Sequence, residues 1–179
     1  MRIISGIYKG RILKSPTGIN EVRPTTDRAK ETLFNILCNR YAIEEKTCID
    51  LFCGTGNLGI EFISRGGSKS IFIDTDIKSV KENAALLNLG DKAEIIRSEA
   101  VRFLHNPNNN RNLDFTFADP PYKYDNYTEL ISSVSAYRTI LVLEHDKNLI
   151  IPEDFGIKVF LRKKIGVTNF TFFDFKNNI

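Results

Sequence analysis

Short apolar runs alternate with amphipathic stretches along most of the chain. From residue 47 onward, apolar runs of strand length are interleaved with segments whose apolar side chains recur at helical spacing. Strands that alternate with helices are typical of βαβ units, which form a mainly parallel sheet with helices on both faces. The predicted strands cover 48–52, 70–74, 93–97, 113–118 and 139–144, and the predicted helices lie near 57–65, 76–89, 98–105 and 125–136.

The two ends of the chain have different patterns. Residues 2–14 combine β-forming side chains with two glycines and several basic residues, which predicts a short twisted hairpin. Residues 26–38 carry apolar side chains at the spacing of one helical face, with acidic residues in the early turns. Two β-rich runs at 157–162 and 168–175, separated by KKIGV, predict a closing hairpin.

Composition adds an uneven distribution of charge. A chain of 179 residues, 42% hydrophobic and 26% charged, is long enough for one substantial core, so we expect a single domain over 1–179. Of the net charge of +3, residues 1–40 carry eight Lys and Arg against three acidic residues, or +5, which leaves −2 for the remainder. We therefore expect residues 1–24 to form a basic hairpin extension. Such a segment favours a polyanionic partner, although a solvated charged face would give the same bias.

Several classes of protein are not supported by the composition. The three cysteines, Cys38, Cys48 and Cys53, have no C-x-x-C spacing, so neither a disulfide framework nor a zinc site is predicted. The two histidines are too isolated to indicate a metal site, and no apolar run is long enough to span a membrane. We expect a reduced, cytoplasmic protein that binds neither metal nor membrane.

A glycine-rich stretch, DLFCGTGNLGIE at 50–61, follows a predicted strand and precedes a predicted helix. Its G-x-G-x-x-G set allows a tight turn and close approach of a ligand to the backbone, and the helix N-terminus offers free N–H groups to an anion. Asp74 ends the next strand, about twenty residues after Gly54, where a carboxylate can accept both ribose hydroxyls. Together these features predict a nucleotide-containing cofactor; the alternative is a tight turn with a purely structural role.

The glycine set alone does not distinguish a dinucleotide from S-adenosylmethionine. A carboxylate at Asp50 would repel a pyrophosphate but attract the ammonium group of a methionine moiety, while the helix N-terminus binds that moiety's carboxylate. Asp50 therefore favours S-adenosylmethionine. Glu99, just after the third predicted strand, is placed either to accept from an adenine amino group or to act as an acid in the first helical turn.

The stretch ADPPYKY, residues 118–124, ends the fourth predicted strand. Two consecutive prolines fix two φ angles and remove two amide donors, so the plain interpretation is a strand end and a turn. In a doubly wound sheet, however, the end of this strand lies beside the ligand crevice. The Asp119 carboxylate and the Pro120 carbonyl could each accept one hydrogen of an exocyclic amine and orient its lone pair, and a base could stack on Tyr122. The motif thus predicts a site that holds an amine.

These motifs resemble those of class I S-adenosylmethionine-dependent methyltransferases that modify amines. In addition, RIISGIYKGRIL, VRPTTDRAKETLFNIL and KKIGVTNFTFF resemble, in order and over nearly the whole chain, the RsmD family of bacterial 16S ribosomal RNA guanine-N2 methyltransferases. The resemblance implies a Rossmann-like α/β fold with a seven-stranded, mainly parallel sheet and an antiparallel last strand. It also implies S-adenosylmethionine as methyl donor and, as partner, 16S rRNA within the small ribosomal subunit.

The resemblance further implies roles for individual residues. Those of the cofactor site are Asp50, Phe52, Gly54 and Gly56 on the methionine side, Asp74 at the ribose, and Glu99 and Ala100 at the adenine. Those of the target-amine site, which we predict to be catalytic, are Asp119, Pro120, Pro121 and Tyr122.

RNA contacts are predicted in the basic N-terminal region. In RPTTDR, the resemblance implies that the side chains shape the cofactor or RNA entrance, although the threonines are nearly as well explained as helix caps. The basic hairpin is assigned to phosphate contacts. The predicted RNA-binding residues are Arg2, Lys9, Arg11, Arg23 and Arg28, with Thr25 and Thr26 at the same entrance.

Other functions stay open at this stage. An NAD-dependent oxidoreductase would use the same glycine set but leaves the Asp119 motif unexplained, and a noncatalytic RNA-binding module would not need that motif. Within the enzymes, an adenine-N6 or DNA amine methyltransferase would hold its substrate in a similar way. C5 methylation is disfavoured because it requires a cysteine nucleophile, and none lies near 119–122. We expect a monomer.

Overall fold

The computed structural model describes residues 1–15, 26–107, 111–145 and 159–176. Its strands are β1 Thr47–Leu51, β2 Lys69–Asp74, β3 Ala93–Arg97, β4 Phe115–Ala118, β5 Ile140–His145, β6 Val159–Ile165 and β7 Thr168–Asp174. Its helices are α1 Asp27–Cys38, α2 Asn57–Ser64, α3 Lys78–Leu86, α4 Ala100–Leu104 and α5 Tyr127–Ser135, with a short 3₁₀ turn at Gly90–Lys92.

The seven strands form one sheet in the order β3-β2-β1-β4-β5-β7-β6. The neighbours from β3 to β5 are parallel, whereas β7 is antiparallel to both β5 and β6. The predicted α/β fold, with a mainly parallel seven-stranded sheet and an antiparallel last strand, is confirmed. Because β1 begins the series and β4 returns to its other side, the direction of winding reverses between them, and ligands bind at such a point in open α/β sheets.

Apolar layers cover both faces of the sheet. On one face, Ile49 and Leu51 of β1 pack with residues of α4 and α5. On the other face, Phe115 and Phe117 of β4 pack with residues of α1 and α2. Successive side chains of a strand point to opposite faces, so strands buried on both sides need continuous apolar runs. This is why the central strands could be predicted from sequence.

The N-terminal segment 1–15 folds back on itself, but less regularly than the predicted hairpin. Within this segment the structure contains one β-bridge, between Arg2 and Ile12, and turns occupy the residues between them. Ile3 and Leu13 are buried and pack against α2 residues including Ile60. We call residues 1–15 the N-terminal arm. Residues 16–24 of the predicted extension lie outside the described residues.

The closing hairpin is longer than predicted. The stretch KKIGV was expected to separate the two strands, but Lys163–Ile165 continue β6, and only Gly166 and Val167 form the turn. Gly166 has φ +64°, a left-handed conformation that glycine adopts without steric cost and that two-residue hairpin turns require. The basic residues of β6 therefore belong to the sheet.

The carboxyl ends of the central strands are level with one another. Leu51 of β1 pairs with Ile73 of β2 on one side and with Ala118 of β4 on the other. The residues that follow these positions, among them Asp74 and Asp119, therefore lie along one edge of the sheet. We call it the carboxyl edge.

Candidate cofactor and acceptor site

The loop between β1 and α2, residues 52–56, turns sharply, with three residues at positive φ. We call it the glycine loop. Phe52 has φ +58°, Gly54 +52° and Gly56 +79°. The turn is closed by hydrogen bonds from the Gly56 N–H to the Cys53 carbonyl (2.7 Å) and from the Cys53 N–H to the Ile73 carbonyl of β2 (3.1 Å). The loop is thus held in place by the neighbouring strand.

The three glycines of the G-x-G-x-x-G set have different reasons to be glycine. A Cβ on Gly59 would lie 2.4 Å from both the Phe72 ring and the Ser70 hydroxyl, and one on Gly56 would lie 2.8 Å from Val80. Gly59 lets α2 pack closely on β2, and Gly56 lets the loop lie close to Val80 of α3. A Cβ on Gly54 would meet nothing within 4 Å. Gly54 therefore borders open space, as expected of backbone that a ligand approaches.

Asp50 is almost fully buried at the start of the loop, with 2% of its surface exposed. Its Oδ2 accepts a hydrogen bond from the Gly59 N–H at 2.8 Å, which connects the end of β1 to the first turn of α2. Burial raises the pKa of Asp50 to about 8, and the Gly59 N–H only partly opposes this. A carboxyl group in this state ionises when a cation binds beside it.

Asp74 holds the other side of the loop. Its Oδ2 accepts from the Gly54 N–H at 2.8 Å, and its Oδ1 accepts from the Asp76 N–H at 3.0 Å. The Asp74 carbonyl accepts from the Ser98 N–H at 3.0 Å, which fixes the start of α4 beside the end of β2. The predicted ribose and adenine positions are therefore neighbours.

The predicted adenine residues lie at the N-terminus of α4. Glu99 is exposed, occupies the N-cap position and makes no side-chain hydrogen bond to the helix, while Ala100 is buried. Glu99 therefore lies at the start of α4, and both of its predicted roles, as an acid at the helix N-terminus and as an acceptor for a ligand, stay predictions. The exposed carboxylate stays available to a ligand at this edge.

We call residues 119–124 the acceptor segment, and it begins directly after β4. The Asp119 N–H lies 3.5 Å from the Leu51 carbonyl, so this residue continues the pairing with β1. Asp119 is half-buried, Pro120 is buried, and Pro121 and Tyr122 are exposed. Tyr122 exposes 70% of its surface, which is unusual for a large aromatic side chain and suits a face that receives a base.

Tyr124 is an aromatic residue of this segment that the sequence analysis missed. Its ring makes edge contacts with Phe52 (5.2 Å between centroids) and Tyr127 (5.3 Å), so it joins the acceptor segment to the glycine loop. Its hydroxyl is buried without a hydrogen-bond partner among the described residues, and burial raises its pKa to about 12. An aromatic residue five positions after Asp119 in ADPPYKY was the available signal.

A buried ion pair between α1 and α2 supports the glycine loop. The Lys30 ammonium of α1 lies 3.2 Å from the Glu61 carboxylate of α2, and both side chains are fully buried. Lys30 also donates to the Asn57 side chain and the Arg2 carbonyl, each at 2.7 Å. Glu61 accepts from the Ile4 N–H at 2.8 Å. The pair thus ties α1, α2 and the N-terminal arm together.

The sequence held a signal for this pair that we did not use. Lys30 precedes Leu33 and Leu37 by three and seven positions, which puts it on the apolar face of α1. Asn83 of α3 has a similar role, because its side chain donates to the Thr55 carbonyl at 3.0 Å and accepts from the Lys14 N–H at 2.8 Å. Buried polar residues therefore connect the arm to the glycine loop.

The predicted RNA-binding residues that the structure describes are all exposed, and their role stays a prediction. Arg2 is 3.4 Å from Asp27 in an exposed ion pair, and Arg11 and Arg28 are exposed. Lys9 follows Tyr8, whose N–H donates to the Ser64 hydroxyl at the last residue of α2. An eight-residue helix is about 12 Å long, so Lys9 lies that far from the start of α2 and the carboxyl edge.

Two parts of the RPTTDR prediction have different outcomes. Arg23 and Thr25 lie outside the described residues. Thr26 is the N-cap of α1, and its hydroxyl accepts from the Ala29 N–H at 3.2 Å. The helix-cap explanation is therefore confirmed for Thr26.

The donor set fits an adenosyl and amino-acid ligand better than a metal. The carboxylates of Asp50 and Asp74 flank the loop and could accept hydrogen bonds from an ammonium group and from ribose hydroxyls, and Gly54 borders open space. Among the described residues, no group of three or more His, Cys, Asp or Glu side chains could hold a metal ion. No helix in the described ranges is both long and apolar enough to cross a bilayer.

Comparison with known proteins finds methyltransferases among the relatives in sequence and the neighbours in structure. A family model described as "Conserved hypothetical protein 95" matches residues 1–174. The chain is 35% identical over 169 residues to "Ribosomal RNA small subunit methyltransferase D" of Haemophilus influenzae, a match that covers 88% of this chain and 86% of that protein. Among solved structures, the putative methyltransferase yhhF of Escherichia coli superposes with a TM-score of 0.81 at 28% identity, over 97% of each chain.

A more distant structure agrees in fold alone. The rRNA methyltransferase aviRa of Streptomyces viridochromogenes has a TM-score of 0.71 at 15% identity, and the match covers 93% of this chain and 90% of that one. The Rossmann-like fold of class I methyltransferases, expected from the motifs, is thereby confirmed.

Proposed function

The chain belongs to the "Conserved hypothetical protein 95" family, the RsmD family, and from that premise we propose that it methylates the N2 amine of a guanine in small-subunit 16S rRNA. It is an enzyme, a methyltransferase that acts on ribosomal RNA. The finer elements of the proposal are S-adenosylmethionine as methyl donor, guanine-N2 as acceptor and the roles of individual residues. The predicted single domain, monomeric state and cytoplasmic location stay predictions.

The observation that carries the proposal is the register between β1 and β4. Leu51 of β1 pairs with Ala118 of β4. Asp50 is the residue before this pair on β1, and Asp119 is the residue after it on the adjacent strand, so the two lie near each other at the carboxyl edge. A cofactor held against the glycine loop and an amine held at Asp119 would therefore meet at one edge. Methyl transfer requires this proximity of donor and nucleophile.

On the cofactor side, each group has a defined task. Asp50 would bind the ammonium group, Asp74 the ribose hydroxyls, and the Gly54 backbone would border the donor. Phe52 and Gly56 would shape the methionine side, and Glu99 and Ala100 the adenine end. S-adenosylmethionine supplies an activated methyl group on a sulfonium centre.

On the acceptor side, the chain must turn a poor nucleophile into a better one. The lone pair of an exocyclic amine is delocalised into the ring. With one N–H donated to Asp119 and the other to the Pro120 carbonyl, the nitrogen becomes more pyramidal and its lone pair points away from the ring. Pro121 stiffens this segment, and Tyr122 would stack on the displaced base. Held in this way, the amine nitrogen would take the methyl group in place of the donor sulfur and would then release one proton to water.

The rival functions gain no support. Relatives of this chain bear the names of ribosomal RNA methyltransferases, which disfavours an NAD-dependent oxidoreductase and a noncatalytic RNA-binding module. Adenine-N6 or DNA amine methylation would use the same geometry, so the distinction belongs to the test.

The test is transfer of labelled methyl from S-adenosylmethionine to undermethylated small ribosomal subunits, naked ribosomal RNA, transfer RNA and duplex DNA. Nucleoside analysis should find N2-methylguanosine in RNA from the small subunit. Label in N6-methyladenosine or in DNA would discard the proposed substrate while leaving the methyltransferase assignment intact.

A further inference from the structure

The edge strand β6 carries a basic surface that none of the sites above uses. Arg162, Lys163 and Lys164 are consecutive and all exposed. Within the described ranges, no carboxylate forms a salt bridge with any of the three. We call these three residues the β6 basic strip. Three adjacent cations without a described counter-charge attract a polyanion.

The register of the sheet brings this strip level with the acceptor segment. Ala118 of β4 pairs with Leu143 of β5, Leu143 with Thr171 of β7, and Thr171 with Arg162 of β6. Arg162 therefore lies in the same row across the sheet as the residue immediately before Asp119. Lys163 and Lys164 extend beyond that row toward the carboxyl edge.

The distance along this row can be spanned by a few nucleotides. Three strand spacings separate β4 from β6, which is about 14 Å. Phosphates recur about every 3.4 Å along each strand of a duplex. The phosphate backbone that flanks a base held at Asp119 would therefore reach the β6 basic strip.

The distribution of charge along β6 argues against a purely protective role. Basic residues on edge strands commonly prevent pairing with other chains, and that task would be served anywhere along the strand. Here the amino half, Val159–Leu161, is half-buried and apolar, and the cations occupy only the half near the carboxyl edge. The charge follows the position of the acceptor segment.

The N-terminal arm is less well placed for the same task. Its Lys9 lies near the far end of α2, and its Arg2 is paired with Asp27. The strip on β6 has neither feature. Lys163 points to one face of the sheet and its two neighbours to the other, so the strip presents cations on both sides of the strand edge.

We propose that the β6 basic strip binds the phosphate backbone of ribosomal RNA beside the target base. This proposal rests on the proposed function, because the acceptor segment defines where the RNA must lie. The contacts are sequence-independent and set the position of the RNA rather than the choice of base.

The experiment compares Lys163→Gln/Lys164→Gln with Lys81→Gln/Lys92→Gln. Both variants lose two exposed lysines, but Lys81 and Lys92 belong to α3 and the turn before β3, at the opposite margin of the sheet. Methyl transfer to undermethylated small subunits is measured for wild type and both variants, and the affinity for those subunits is determined at several salt concentrations. Binding of S-adenosylhomocysteine is the control for folding.

The β6 variant should bind small subunits roughly tenfold more weakly, and the slope of log affinity against log salt should become shallower by about 1.5. The control variant should match wild type, and both should bind S-adenosylhomocysteine normally. If wild type methylates small subunits and the β6 variant behaves like the control, the proposal is overturned. A weaker affinity with an unchanged salt slope would also overturn it, because the loss of phosphate contacts must make the slope shallower.

Failure of the proposed function has a different signature. In that case wild type itself transfers no methyl group to small subunits, whatever the variants do.

Discussion

The carboxyl edge of the sheet has two halves of opposite construction. In the cofactor half, beyond β1 and β2, Asp50 is buried and the glycine loop is fixed by hydrogen bonds to Ile73 and Asp74. In the acceptor half, beyond β4, Asp119 is half-buried and Tyr122 is largely exposed. The cofactor half is buried and held by hydrogen bonds within the protein, whereas the acceptor half is open to solvent.

The difference is consistent with the sizes of the two ligands that we propose. A small cofactor must be surrounded by the protein, so its site is built in advance and integrated with the core. A folded RNA brings its own rigid surface, so the protein needs only a few groups at the target base and charges around it. Substitutions in the cofactor half should therefore affect stability together with binding, and those in the acceptor half should affect the reaction alone.

The sharpest way to break this comparison is Asp119→Ala. Loss of one hydrogen-bond acceptor for the reacting amine should lower the single-turnover rate of methyl transfer by about 10²–10³-fold, whereas the affinity for S-adenosylhomocysteine should stay unchanged. Asp125→Ala, an exposed acid in the same segment, is the matched control and should stay active. An equal loss of cofactor binding in Asp119→Ala would show that the two halves are not separate.

The next largest effect concerns the support of the cofactor half. Lys30→Met leaves Glu61 buried with one cation fewer and removes the donors to Asn57 and Arg2, so the free energy of unfolding should fall by about 3 kcal/mol. Arg65, which pairs with Glu61 at 2.8 Å, keeps the loss near this value. Urea denaturation measures it.

Two further variants sharpen this prediction. Arg28→Met removes an exposed cation two positions away on α1 and should change stability little. The double variant Lys30→Met/Glu61→Leu should regain only part of the loss, because it removes both charges of the buried pair but leaves the Arg65 guanidinium, whose side chain is 10% exposed, without Glu61. If Lys30→Met is as stable as wild type, the buried pair does not support the loop.

The smallest effect is a dependence on pH. The folded-state pKa of Asp50, about 8, lies above the usual value of 3.8, so the folded protein without cofactor binds more protons than the unfolded chain between these values. Asp50 therefore contributes stability below about pH 4 that is lost as pH rises through about 8. A bound ammonium group favours the carboxylate, so cofactor affinity should increase from about pH 6 to about pH 8, with release of a proton.

Calorimetry of S-adenosylmethionine binding in buffers of different ionisation enthalpy measures this proton release. Asp50→Asn should bind weakly and release no proton from this position. If the wild-type protein binds the cofactor at about pH 6.5 without proton release, Asp50 does not change its protonation state on binding, and this prediction is wrong.

Much of the cofactor half could be predicted from sequence, because its residues are contiguous. The glycine loop follows a strand and precedes a helix within DLFCGTGNLGIE, so local pattern and chemistry coincide. The prediction that Glu99 could accept from a ligand also agrees with its exposed position. The acceptor motif could be predicted for the same reason.

What could not be predicted depends on elements far apart in the chain. The sequence predicts that Lys9 contacts RNA but does not indicate that the preceding residue, Tyr8, is bound to Ser64 at the far end of α2. From sequence, Arg162 is predicted to end a strand, and Lys163 and Lys164 to lie in the stretch between two strands, whereas all three belong to β6 near the level of Asp119. Charge alone did not indicate which of these two basic segments, the N-terminal arm or the β6 basic strip, lies near Asp119.

The sequence by itself determined the type of fold, the glycine loop and the acceptor motif, since each depends on side chains close together in the chain. Only the tertiary structure decided which charges share an edge with Asp119, how Lys30 and Glu61 come together, and that Tyr124 contacts Phe52. The physical reason is that strand order and register follow from packing both faces of the sheet at once, and this brings together residues whose separation along the chain carries no local signal.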